Sequence, residues 1–141
     1  MTQGHTQRLK DMLQEAEEAG CEVLSGGSAL VDVDQRYVPT SLIRVNPAAN
    51  PKHAGLRILK EEIFGGILPI MSYSDTESCI DYINAMKGTP LALYVFSTST
   101  PTFEKIANEC PSGGLCRNEV LLHFATASLP FGGLGTSGYT V

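Results

Sequence analysis

The chain has 141 residues, 43% of them hydrophobic and 18% charged, which suits one domain or one large piece of a bigger one. With 10 Lys+Arg against 15 Asp+Glu and a net charge of −5, it lacks the clustered cations that a general nucleic-acid binder needs to replace condensed counterions. No apolar run approaches the ~18 residues of a membrane-spanning helix, and the polar start Met1-Thr2-Gln3-Gly4-His5 has no signal-peptide core.

The first predicted element is a helix over Thr6–Ala19. Leu9, Met12, Leu13 and Ala16 recur at i, i+3, i+4 and i+7 and give it one apolar face. Gly20 stands where a left-handed residue ends a helix. Arg8, Lys10, Asp11, Glu15, Glu17 and Glu18 form the opposite face, read as solvated charge. Strands are expected at Cys21–Leu24, Tyr37-Val38, Ser41–Val45 and Ile67–Tyr73. Pro69 cannot donate to a ladder, so the last of these is an edge or is broken there. Ser74 and Glu77 have the spacing of a capping box. The helix they open turns Cys79, Ile80, Ile83 and Met86 inward and ends at Lys87-Gly88. Leu91–Ser97 is continuously apolar, as in a strand covered on both faces. Thr100-Pro101 starts another helix with Phe103, Ile106 and Ala107 inward, and a strand follows near Leu115–Phe124. The alternation predicts an α/β fold, a layered sheet with helices.

Cys21, Cys79, Cys110 and Cys116 form no CxxC pair, and a chain of this length needs no staples. Reduced thiols follow, in the cytoplasm or another reducing intracellular compartment. Cys110, Cys116 and His123 do not converge as metal ligands, so no metal is expected. His5 and His53 lie in segments expected to be exposed.

Three segments could carry chemistry. In Glu61-Glu62-Ile63-Phe64-Gly65, a carboxylate can accept from two ribose hydroxyls and a ring two residues on can pack against a flat heterocycle. Extended backbone would put both on one side. The same residues also read as solvated acids at a strand end. Leu129–Gly138 interleaves glycines with Leu129, Phe131, Leu134 and Tyr139, which predicts an ordered, tightly wound loop. It lacks a P-loop lysine and a following helix, so a phosphate cradle fails. Cys116 near His123 is the best-placed thiol for a nucleophile, but a half-buried structural thiol is the simpler reading, with Arg117 pointing the other way along a strand.

Glu-Glu-Ile-Phe-Gly (61–65), Leu-Pro-Ile (68–70), Pro-Leu-Ala-Leu-Tyr-Val-Phe-Ser (90–97), Ser-Gly-Gly (112–114) and Leu-Pro-Phe-Gly-Gly-Leu-Gly-Thr-Ser-Gly (129–138) together resemble the C-terminal part of the aldehyde dehydrogenase catalytic domain. The runs PLALYVFS and VLLHFATASLPFGG look most like the fatty-aldehyde branch. The resemblance extends over nearly the whole chain and makes residues 1–141 a partial catalytic domain, with the dinucleotide-binding domain absent. It implies oxidation of a small-molecule aldehyde to a carboxylate with NAD or NADP, through a thioester on a cysteine. It implies that Glu62 binds the nicotinamide ribose hydroxyls, that Phe64 packs by that ribose, and that Phe131 lines the substrate tunnel. His123 has a counterpart in the fatty-aldehyde branch and receives no role.

None of the four cysteines sits in the family's nucleophile context, a Gly-Gln run just before the thiol. No catalytic residue is therefore assigned in this chain, and the isolated residues are expected to be marginal, to associate, or to be inactive. Gly66 stands where the family usually has Pro, and Ala48–Lys60 is a longer connection than the family's. A homo-oligomer is implied for the complete enzyme. The alternatives are a non-catalytic truncated paralogue acting as an assembly or binding module, and a small α/β ligand-binding domain.

Overall fold

Thr2 starts the first helix in the computed structural model of the chain. Its Oγ1 accepts the His5 N–H at 3.2 Å and its carbonyl accepts the Thr6 N–H at 3.0 Å, so α1 spans Gln3–Glu18 and begins ahead of the expected Thr6. Gly20, at φ 84°, ends it. The Cys21 N–H reaches the Ala16 carbonyl and the Gly20 N–H the Glu17 carbonyl, the two closing bonds of a Schellman motif. The structure describes residues 1–86, 88–126 and 128–138. Lys87 and Tyr139, both used in the sequence reading, lie outside them.

The chain divides into two units, Met1–Ser72 and Tyr73–Val141. In the first, β1 (Glu22–Ser25), β2 (Ser41–Arg44) and β3 (Ile67–Ile70) form one sheet in that order. β1 runs antiparallel to β2 and β3 parallel to it. Leu9, Met12, Leu13 and Ala16 of α1 are fully buried against Ile43, Val45, Leu56, Ile58 and Ile67. This is the apolar stripe that the helical spacing predicts. β3 is an edge strand, as Pro69 requires. Ser41 and Val45 donate to the carbonyls of Gly66 and Ile70, so the backbone of 66, 68 and 70 faces β2. The Pro69 nitrogen faces away, where its missing hydrogen costs no ladder bond.

Tyr37 makes one isolated bridge to Asp32 and Val38 joins no strand, so the strand expected there is absent. The long 48–60 connection is wound into two 3-10 turns, Pro51–Gly55 and Arg57–Leu59. His53, expected on the surface, is buried, and its Nδ1 accepts the Asn46 N–H at 2.9 Å. A local backbone partner makes that burial tolerable for a polar ring.

In the second unit, β4 (Ala92–Val95) and β5 (Gly114–Arg117) are parallel, joined through α3 (Thr100–Glu109), and α2 (Thr76–Ala85) packs on α3. Lys105 of α3 pairs with Glu77 of α2 at 2.7 Å. That pairing takes Glu77 from the capping box, and the cap is Asp75, not Ser74, with Oδ1 accepting the Ser78 N–H at 2.8 Å. Ile80 is buried and Cys79 and Ile83 are half-buried, but Met86 at the helix end is exposed. Ser99 caps α3, with Pro101 in its first turn. Phe103, Ile106 and Ala107 are half-buried.

The strand at Leu91–Ser97 forms, but it is not covered on both faces. Val95 is buried, whereas Leu91 is 43% and Phe96 67% exposed. A two-stranded sheet offers too few neighbours within its unit to enclose an all-apolar strand. β5 also stops earlier than expected. Asn118 and Leu121 adopt left-handed backbone, and the Asn118 side chain bonds the Ser97 N–H and carbonyl at 2.7 and 3.2 Å. The chain then turns into a short helix, α4 (Leu122–Ala125).

Replacing Leu13 by Ala is expected to destabilise the first unit by about 2–5 kcal/mol in urea unfolding, because a fully buried side chain leaves a cavity. In the second unit, the Ser78 backbone N–H and the Ser74 hydroxyl hold the Asp75 carboxyl below the usual aspartate range near 3.8. A depressed folded pKa adds stability above the unfolded value and loses it as pH falls through the folded one. Acidification through that range is therefore expected to reduce helix content by circular dichroism, and Asp75→Asn to blunt that loss while keeping the cap acceptor.

Candidate functional site

The Glu61–Gly65 segment leaves the second 3-10 turn as irregular backbone and reverses at Phe64, whose φ is 54°. The extended geometry expected from the i, i+2 spacing is thus absent, and that spacing does not decide the side on which each side chain lies. What separates the two glutamates is their partners. Glu61 receives Arg57 Nε at 2.9 Å and Nη2 at 3.2 Å, with Arg8 Nη2 at 3.9 Å. The Arg57 hydrogen bonds hold the Glu61 carboxyl below the usual range. The Glu62 carboxylate is exposed and makes no hydrogen bond or ion pair to any described residue. Phe64 is 77% exposed, with its ring edge-on to that of His5 at 6.5 Å.

Arg8, read as solvated charge, and His5, expected in an exposed segment, hold the backbone of this segment. Arg8 Nη1 donates to the Ile63 carbonyl at 2.8 Å and Nη2 to the Glu62 carbonyl at 2.5 Å. His5 Nε2 lies 2.9 Å from the Phe64 carbonyl. A carbonyl can only accept, so that ring nitrogen carries the hydrogen. Gly65 lets the turn close on α1: a Cβ there would meet Leu9 Cδ1 at 2.5 Å. Glu17, on the same charged face, accepts the Ser28 N–H at 2.8 Å and hydroxyl at 2.6 Å. The spacing of His5, Arg8 and Leu9 carries the signal for this contact, but nothing local in the sequence says what lies opposite.

Phe131 belongs to the second unit. It is half exposed, stacks on His123 at 6.0 Å and meets Phe124 edge-on at 5.2 Å. His123 also lies 5.8 Å from the Tyr94 ring, and its Nδ1 is 3.3 Å from Cys116 Sγ. Gly114 leaves room for the imidazole. Arg117 points the other way, as strand alternation requires, with its guanidinium 5.1 Å over Phe103. The Leu129–Gly138 loop is wound as expected. Ser137 bonds the Leu134 backbone through N–H and hydroxyl, and a Cβ on Gly133 would strike the Ser137 backbone. No group of three His, Cys, Asp or Glu among the described residues could hold a metal ion. No helix among them is long and apolar enough to cross a membrane.

The profile described as aldehyde dehydrogenase family matches residues 1–141, the whole chain. The chain belongs to the aldehyde dehydrogenase family. It is similar to rat aldehyde dehydrogenase family 3 member A2, with 39% identity over 135 residues, 95% of this chain and 25% of that protein. Among solved structures, Staphylococcus aureus AldH in a substrate-bound state matches with a TM-score of 0.84 and 34% identity, over 98% of this chain and 28% of that one. A Mycobacterium tuberculosis aldehyde dehydrogenase complexed with NAD+ matches with a TM-score of 0.79 at 24% identity, which carries the fold alone, over 98% of this chain and 27% of that one. The chain spans about a quarter of the length of the curated relatives it matches. Its mixed α/β fold is that of the corresponding part of the aldehyde dehydrogenase catalytic domain.

Burial pushes the Cys21, Cys79 and Cys110 thiols up, which lowers their thiolate fraction at neutral pH. N-Ethylmaleimide is expected to modify half-buried Cys116 ahead of Cys21 and Cys110, which are 8% and 2% exposed. Peptide mass spectrometry after short labelling checks the order.

Proposed function

We propose that these residues are the ribose-gripping and tunnel-lining part of an NAD- or NADP-dependent aldehyde dehydrogenase. The aldehyde is converted to a carboxylate through a thioester on a cysteine outside these residues. The observation that carries this reading is the contrast between neighbours: Glu61 is neutralised by Arg57, while Glu62 keeps an open carboxylate two residues from an open aromatic ring. An unpartnered, solvated carboxylate is the acceptor a pair of ribose hydroxyls requires, and an exposed ring is a surface for the sugar to pack on. The residues therefore fit the cofactor. The nicotinamide, when bound, supplies the hydride acceptor. Glu62 would hold the ribose, Phe64 would pack beside it, and Phe131 would line the aldehyde's path. The fatty-aldehyde likeness of PLALYVFS and VLLHFATASLPFGG favours a fatty aldehyde as substrate. Work in a reducing intracellular compartment, as a homo-oligomer, belongs to the same reading.

The alternative, a non-catalytic assembly or binding module, draws on the apolar side chains that the second unit leaves exposed, among them Phe96, Leu121, Leu122, Phe124 and Leu129. The two readings separate in a chimaera in which this chain replaces the matching quarter of rat family 3 member A2. The dehydrogenase reading expects NAD-dependent aldehyde oxidation, and Glu62→Gln to raise KM for NAD+ about tenfold to a hundredfold, the loss of hydrogen bonds to a charged acceptor. An active chimaera with an unchanged KM would remove the ribose role. The 141-residue chain alone is expected to form no NADH from an aldehyde and NAD+, and turnover by it would overturn the assignment of the nucleophile elsewhere.

A further inference from the structure

The carbonyls of Glu62, Ile63 and Phe64, three in succession, are all taken by the first turns of α1: two by Arg8 and one by His5. His5, Arg8 and Leu9 stand at i, i+3 and i+4 and so share one side of the helix. Leu9 is fully buried, which anchors that side in the core, and Gly65 closes on it. The bonds all go to backbone, so they hold the loop without occupying the Glu62 side chain. They also hold Phe64 in left-handed backbone, which a non-glycine residue adopts only when its surroundings impose it. Arginine suits the task because its fork donates to two acceptors in fixed geometry, which a lysine ammonium does not.

We propose that Arg8 and His5 are positioning residues for the cofactor. α1 grips the backbone of Glu62–Phe64 and thereby keeps the Glu62 carboxylate and the Phe64 ring presented together. This rests on the reading of Glu62 as the ribose partner. Both act through the backbone of Glu62–Phe64: their contribution is to spare the cofactor the cost of ordering the loop, the usual gain from a preformed site.

The test uses the chimaera in which this chain replaces the matching quarter of rat family 3 member A2, with NAD+ as probe. Nitrogen-15 relaxation is measured on the Ile63, Phe64 and Gly65 amides of the parent, Arg8→Ala, Arg8→Lys, His5→Leu and His5→Gln. The parent order parameters are expected near ~0.85 and those of Arg8→Ala below ~0.6, with the Leu42 and Ile43 amides unchanged. His5→Gln, which retains an N–H donor, is expected to restore the order that His5→Leu loses. NAD+ is titrated in the same spectra. Arg8→Ala is expected to weaken binding about tenfold, the effect of roughly one charge-assisted bond. Arg8→Ala combined with Glu62→Gln is expected to bind no worse than Glu62→Gln alone, since an unanchored carboxylate and an absent one cost the same interaction.

Unchanged order in Arg8→Ala overturns the grip. A loosened loop with additive losses in the double variant overturns the positioning role. A loosened loop in a chimaera whose NAD+ affinity is unaltered by Glu62→Gln removes the ribose reading, and the positioning role with it, while the mechanical result stands.

Discussion

The first unit depends on the burial of one helical stripe. Leu9, Met12, Leu13 and Ala16 are withdrawn completely from water, and the gain from that burial locks the rotation of α1 about its own axis. Every polar contact the helix makes follows from the locked rotation. Glu17 meets the Ser28 turn, and Arg8 and His5 meet the 62–64 backbone. A helix free to roll could make none of them reliably. The hydrophobic effect has no direction, yet through a periodic pattern it orients the groups that do.

The adjacent glutamates show how environment assigns different tasks to the same side chain. Glu61 sits one turn after Arg57 and is drawn into a two-point ion pair. Its proton affinity falls and its charge is spent locally. Glu62 keeps its carboxylate clear of described partners while Arg8 is engaged by carbonyls, including that of Glu62 itself. One arginine thus satisfies the backbone of Glu62 and leaves the carboxylate's charge unmatched.

Much of this was legible in the residues. The α1 stripe, the edge character of β3 around Pro69, the strand–helix–strand order of β4, α3 and β5 and the wound glycine loop all follow from local rules of period, capping and turn chemistry. The failures share a cause. Ser74 lost the cap to Asp75 because Glu77, its reciprocal partner, pairs with Lys105, 28 residues away. The β5 prediction ran too long because Asn118 bonds to Ser97 across the sheet. His53 is buried through a contact with Asn46 that only the folded 3-10 turn creates. Arg8 looked like solvated charge because its partners are main-chain carbonyls more than fifty positions on, and carbonyls have no letter in a sequence. At the candidate site the residue types were readable and the backbone conformation was not: Phe64 turns through left-handed space under tertiary constraint.

The outer rim of β3 has a consequence of its own. Residues 67 and 69 turn their backbone away from β2. Pro69 has no hydrogen to give, and the Ile67 N–H is already spent on the Gly65 carbonyl at 2.9 Å. That margin consequently has no free N–H to offer at either position. A foreign extended segment drifting alongside would find no donor for its own carbonyls at those two rungs, and templated accretion of further chains would stall there.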